Sequence, residues 1–272
     1  MKQFNPEYTV KKIREEMTNY LNASKLKALV VGQSGGIDSA LVTALAYPVC
    51  QKLGVQLIGR FIQIETNKPD EGSRAKLVGA SFSADYKDVD LTDLYHSVKS
   101  AIEEDNSANL QELNHRIRLG NIKARLRMIY LYNLAQKHGG MVLSTDNLTE
   151  LMLGFWTLHG DVGDYAPIIG LWKTEVYECA KWLINNDLVF LEQEVALQRC
   201  IDAVPTDGLG TTSSDLEQLN AATYMEVDHL LQQYIVDGKR DEALINHPVI
   251  KRYLNSEFKR QNPYNVLRER IV

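Results

Sequence analysis

The chain has 272 residues, 44% hydrophobic and 24% charged, enough for one α/β domain with a full core and at most a small helical appendage. A formal net charge of −5 argues against a nucleic-acid binder, which needs a basic excess, and no apolar run approaches the length that spans a bilayer. Cys50, Cys179 and Cys200 form no CxxC pair and no metal-spaced cluster, and the first residues show no signal-peptide apolar stretch, so reduced core cysteines in a cytoplasmic protein are expected.

Asn5-Pro6-Glu7 reads as an N-cap, a proline at the first helical position and a first-turn acid. Val10, Ile13, Met17 and Leu21 follow at helical spacing. Residues 28–31 are a short apolar run suited to a buried parallel strand. Residues 40–53 predict a helix closed by Gly54 and kinked at Pro48, whose ring removes an amide donor. Residues 55–64 predict a strand, the polar stretch 65–74 leads into a helix, and residues 86–91 are strand-like. Residues 121–138 predict a strong helix stopped by Gly139-Gly140, with a short strand at 141–143. This alternation predicts an α/β fold, a parallel sheet with helices on both faces. From Glu192 onward the chain reads as helical and charged, without a strand. Within it, the Gly-, Ser- and Thr-rich segment 206–215 is either a surface loop or a mobile lid.

The sharpest feature lies between the first strand and the next helix, at Gly32, Gln33, Ser34, Gly35, Gly36, Ile37, Asp38 and Ser39. Two adjacent glycines let backbone approach an anion closely, and the amides of the turn and of the helix start favour negative charge. Ser34 and Ser39 add hydroxyl donors, and no Walker lysine is present. A carboxylate beside a phosphate is repulsive unless a cation intervenes, so Asp38 suggests Mg²⁺; as a plain structural residue it would be a helix cap. The SGGxDS string after a buried strand is what the PP-loop ATP-pyrophosphatases carry, enzymes that split ATP between its α and β phosphates.

Residues 120–128 read Gly-Asn-Ile-Lys-Ala-Arg-Leu-Arg-Met. Lys123 and Arg127 lie four apart and suit a solvated helix face. Arg125 shares the apolar face of Ile122 and Ile129, so it is expected to turn inward, toward a ligand or a core carboxylate. Residues 144–150 follow a short strand, where open α/β sheets bind ligands. There Thr145 is placed to donate to a nucleotide. Glu150 is placed either to join Asp38 on a magnesium ion or to complete a capping box begun by Asp146 or Asn147.

Together with GFWTLHGDVGDYAPIIGLWKTEV at residues 154–176 and EFKRQNP at 257–263, these strings resemble the NAD synthetase family, in that family's order and over nearly the whole chain. The resemblance implies one NAD-synthetase-like domain over residues 1–272 without a glutaminase domain, acting as a homodimer. It implies amidation of nicotinic acid adenine dinucleotide by ammonia with ATP, giving NAD, AMP and pyrophosphate. By position, Gly32 to Ser39, Arg60, Thr145, Lys173 and Thr206 would contact ATP. Asp38 and Glu150 would hold Mg²⁺, and Arg125, Asp164 and Lys259 would contact the dinucleotide. Lys173 also makes sense on its own, as a cation that offsets phosphate charge. Leu158 and Phe258 depart from the family's basic residues on the dinucleotide side, and the acidic turn at 160–165 is a residue shorter. A ligase for a different carboxylate and a non-catalytic nucleotide sensor are the rivals; intact Asp38, Glu150 and Lys173 count against the sensor.

Overall fold

The computed structural model describes residues 4–65, 68–102, 113–204 and 215–271. Its centre is a four-stranded parallel sheet of β1 (Ala28–Gly32), β2 (Gln56–Gln63), β3 (Asp85–Asp90) and β4 (Gly140–Val142), in the order β3-β2-β1-β4. Alternation along β1 sends Leu29 and Val31 to one face and Ala28 and Val30 to the other, and both pairs are buried. The first face packs on α1 (Pro6–Ser24), α2 (Ile37–Leu53), α3 (Pro69–Phe82), α7 (Lys173–Asn186) and α8 (Leu191–Ile201). The second packs on α4 (Thr92–Ile102) and α5 (Leu113–Lys137). Helices therefore cover both faces, as the strand-helix alternation requires.

Local rules explain most boundaries. Asn5 caps α1 by accepting from the Tyr8 amide at 3.0 Å, with Pro6 in the first turn, and Val10, Met17 and Leu21 are buried. Gly54 closes α2 with φ +67°, and the helix continues through Pro48. That helix starts three residues before the predicted one, because Gly36 in extended geometry is its N-cap. α5 is described from Leu113, already eight residues before the predicted start. The three cysteines are free and buried, and burial pushes each thiol up to about 12. No helix among the described residues is long and apolar enough to cross a membrane.

The C-terminal part forms its own apolar cluster. Leu153 of α6 (Leu148–Leu153) and Trp172 pack with Leu219 of α9 (Asp215–Leu219) and with Val227 and Leu231 of α10 (Tyr224–Ile235). Leu244 of α11 (Glu242–Asn246) and Val249 and Ile250 of α12 (Pro248–Asn255) complete it. A short α13 (Glu257–Arg260) follows. Fully burying an aliphatic side chain contributes roughly 1.5–3 kcal/mol, so this cluster ties α10 to α11 and α12.

Candidate active site

The sheet reverses its order on either side of β1: the chain leaves toward β2 and β3, then returns to place β4 on the opposite flank. In open α/β sheets such a switch point opens a crevice at the strands' C-terminal ends. Here the loops after β1 and β4 flank a cavity of about 430 Å³. Gly32, Ser34, Gly36, Asp38, Thr145 and Lys173 are among its lining residues, with Gln33, Ile37, Arg60, Glu150 and Lys259. Gly35 and Ser39 belong to the loop without lining the cavity, and Thr206 lies outside the described residues.

The loop after β1 is clamped from outside. Gln33 donates its amide to the Arg60 carbonyl at 2.7 Å and its side chain to Thr43 Oγ1 at 2.6 Å. Gly35 has φ +79°, and a Cβ there would sit 2.3 Å from the Glu71 carbonyl oxygen of α3, so only glycine fits. Arg74 donates to the Gly35 carbonyl at 2.7 Å. Inside the loop, Ser39 Oγ accepts from the Ser34 amide at 3.3 Å and Ser34 Oγ from the Gly36 amide at 3.2 Å. A bound anion would replace these hydroxyls, joined by the first-turn amides of α2, which have no partner inside the helix.

Asp38, Glu150 and Lys173 come together from three helices. Lys173 Nζ donates to Asp38 Oδ2 and, at 3.1 Å, to Glu150 Oε1. Its ammonium also lies 5.4 Å from the centre of the Tyr224 ring. Burial alone would lower the Lys173 pKa, but the two carboxylates outweigh it and hold the ammonium charged well above the usual lysine range. Burial pushes the Glu150 pKa upward, and the Lys173 ammonium opposes that rise. The buried Asn147 serves two partners. Its Oδ1 caps α6 through the Glu150 amide at 3.0 Å, and its Nδ2 donates to Asp38 Oδ1 at 2.9 Å. Glu150 Oε2 completes the capping box on the Asn147 amide at 3.4 Å while Oε1 faces Lys173. The capping and ligand readings of Glu150 are therefore compatible.

Two hard carboxylate oxygens converging on one cation suit a magnesium ion that takes its remaining ligands from phosphates and water. Among the described residues no group of three or more His, Cys, Asp or Glu side chains could cage a metal alone.

On α5 Ile122 packs against the core, but Arg125 and Ile129 do not share its burial. Arg125 is exposed, donating to the Leu158 carbonyl at 2.8 Å and the Asn121 carbonyl at 3.3 Å, and Ile129 is 64% exposed. The face toward the sheet is built from Ala124, Leu131 and Ala135, and Arg127 shares it by helical spacing. Arg127 lines the cavity and donates to the Ile62 carbonyl at 3.2 Å. Lys123 is buried and ion-paired to Glu65 at 2.6 Å. Both of these cations were expected on a solvated face.

Arg60 is 2% exposed, and its guanidinium bonds the Asp85 carboxylate at 2.6 Å and the Asp85 carbonyl at 2.9 Å. Asp164 is exposed and accepts from the Tyr132 hydroxyl at 2.9 Å. Asp161, three residues earlier, is the acid of this turn that lines the cavity; burial raises its pKa, against a hydrogen bond from the Thr157 amide. Lys259 donates to the Gly154 carbonyl at 2.7 Å and the Trp156 carbonyl at 2.5 Å. A second cavity, of about 560 Å³, shares Met128, Asp146, Trp156 and Lys259 with the first and is also lined by Tyr132 and His159. Asp146 takes a hydrogen bond from Ser144 Oγ, yet burial pushes its pKa up to about 6.

Residues 9–263 match the NAD synthase family. The chain is 33% identical over 256 residues to the NH3-dependent NAD+ synthetase of Finegoldia magna, covering 92% of this chain and 93% of that one. Among solved structures, the NMN synthetase of Francisella tularensis superposes with a TM-score of 0.78 at 25% identity, over 97% of this chain and 99% of that one. The NH3-dependent NAD synthetase of Campylobacter jejuni, solved with a nitrate ion, superposes at 0.73 and 22% identity, over 97% and 100% of the two chains, a likeness of fold.

Proposed function

Because the chain belongs to the NAD synthase family, we propose that it adenylates the carboxylate of nicotinic acid adenine dinucleotide with ATP and amidates it with ammonia, giving NAD, AMP and pyrophosphate. The observation that carries this reading is the meeting of Asp38, Glu150 and Lys173 at the mouth of the loop after β1. Two carboxylates and a buried cation at a phosphate loop suit the splitting of a triphosphate, which depends on positioning and charge stabilisation.

ATP would lie along residues 32–39, with Thr145, Lys173, Arg60 and Thr206 as further contacts. Asp38 and Glu150 would hold Mg²⁺, which when bound would screen the phosphates and stabilise departing pyrophosphate. Asn147 keeps Asp38 aimed, and Lys173 turns from its carboxylates to the phosphate oxygens. A carboxylate oxygen of the acceptor attacks the α-phosphorus, the bond to the bridging oxygen of the β-phosphate breaks, and pyrophosphate leaves. Ammonia then attacks the acyl carbon and AMP departs. Asp161, on the wall of the first cavity, would take a proton from ammonium if the acyl carbon is presented there.

The acceptor would occupy the second cavity, which shares Trp156 and Lys259 with the first and has Tyr132, the partner of Asp164, on its wall; Arg125, bonded to the Leu158 carbonyl, lines neither cavity. Ammonia as the nitrogen source is supported by a relative of that name matched over 93% of its length. We further propose a homodimer, for which exposed apolar side chains such as Ile129 and Val162 are available, and a cytoplasmic location, in keeping with three buried cysteines.

AMP formation should require ATP, the dinucleotide and ammonia together, with NAD appearing in equal amount by chromatography. Absence of AMP above background would contradict the reading. Turnover on the mononucleotide instead would favour the second reading, which the Francisella tularensis NMN synthetase likeness and the departures at Leu158 and Phe258 motivate.

A further inference from the structure

Resting on that reading, we infer that Asp228 of α10 is a positioning residue that sets the spacing between Glu150 and Lys173. Asp228 is 1% exposed, and both its oxygens are engaged with the two helices that carry those side chains. Oδ1 accepts from Thr149 Oγ1 at 2.5 Å, and Thr149 directly precedes Glu150 on α6. Oδ2 accepts from the Thr174 amide at 2.9 Å and the Thr174 hydroxyl at 2.8 Å, in the first turn of α7 directly after Lys173. Thr149 Oγ1 closes the ring by accepting from the Lys173 amide at 2.9 Å.

The physical need is plain. The N-cap of α7 is Trp172, whose side chain accepts no capping hydrogen bond, so the first-turn amides need acceptors from elsewhere. Lys173 moreover puts a buried cation at the positive end of a helix dipole. Asp228 supplies acceptors and negative charge together. One turn earlier on the same helix, Tyr224 presents its ring to the Lys173 ammonium. When a nucleotide draws Lys173 and Glu150 apart, their side chains change partners while the Asp228 bonds keep both backbones in register. The carboxylate touches no substrate and acts only through Thr149 and Thr174.

Asp228→Ala, Asp228→Asn, Thr174→Val and Leu231→Ala separate position from stability. Leu231 is a fully buried core residue of the same helix with no part in the hydrogen-bond ring. Asp228→Ala should lower kcat per folded molecule about 100-fold, since a misplacement of about 1 Å carries a penalty of that size. Asp228→Asn, which keeps one acceptor, should lower it roughly tenfold and Thr174→Val a few-fold, with the acceptor KM within about twofold of wild type. In both Asp228 variants the magnesium-dependent ATP affinity should weaken. Leu231→Ala should lower the melting temperature yet leave kcat unchanged. If the Asp228 variants melt earlier but turn over and bind like wild type, the inference is wrong; equal loss of kcat in Leu231→Ala would also overturn it. If Asp228→Ala does not fold, Asp228→Asn and Thr174→Val decide. A wild-type protein that releases no AMP would refute the proposed reaction, while the nucleotide titration would still decide the role of Asp228.

Discussion

Asp38→Asn is expected to fold and to release pyrophosphate roughly 10³-fold more slowly than wild type, a loss of about 4 kcal/mol in transition-state stabilisation. The substitution is isosteric, and the retained oxygen can still accept from Asn147 Nδ2, so the loop after β1 keeps its anchor. The introduced amide, however, turns a donor toward Lys173 Nζ, which is left with Glu150 as its anionic partner. Removing one member of a buried ion pair costs about 3–5 kcal/mol, and less here because Glu150 remains. That is a fraction of a typical stability of about 5–15 kcal/mol, so the folded state survives. The magnesium concentration for half-maximal rate should rise at least about tenfold, because one of the two carboxylates proposed to hold the ion has become a weaker amide ligand. Pyrophosphate release by stopped assay, with circular dichroism to confirm folding, measures both effects. Wild-type turnover would remove Asp38 from the metal role.

Lys173→Met has a different signature. It should lower kcat roughly 10²–10³-fold by removing a preorganised cation from the departing phosphates. It also takes the counter-charge from Asp38 and Glu150, whose side chains are only 16% and 19% exposed, so the ligand-free variant should be less stable than wild type. Magnesium alone should then restore what lysine supplied. At about a tenfold excess over Kd, a ligand specific to the folded state contributes about 1.4 kcal/mol. For a chain of this size that corresponds to roughly 2–3 °C in Tm. Wild type, with its lysine already between the carboxylates, should respond much less. Thermal melts with and without magnesium decide the matter. A destabilised variant no more responsive to magnesium than wild type would show that the carboxylates do not form an ion site.

What the residues disclosed in advance was local. The N-cap at Asn5, the glycine stop at Gly54 and the capping residues before α6 follow from backbone donors that must be satisfied within a few residues. The loop after β1 was legible for the same reason, since two glycines after a buried strand and before a helix leave few other uses. The orientation of α5 was not. Ile122 and Ile129 suggested a buried face, but the buried positions include Ala124 and Ala135, and small residues carry little hydrophobic signal. Arg127 consequently lines the cavity where Arg125 was expected. Partnerships across the chain were equally hidden. Asn147 meets Asp38 over 109 residues and Lys173 meets it over 135, and neither spacing follows from any local rule. Asp161 and Asp164 lie in one short turn, and only the course of the backbone decides which faces the cavity.

The most direct test is a calorimetric titration of ATP into folded wild-type protein, with magnesium and with magnesium removed by chelation. Saturable binding that disappears on chelation is the predicted result. Folded protein that shows no magnesium-dependent affinity for ATP would contradict the grip of the loop after β1, and of Asp38 and Glu150, on the triphosphate.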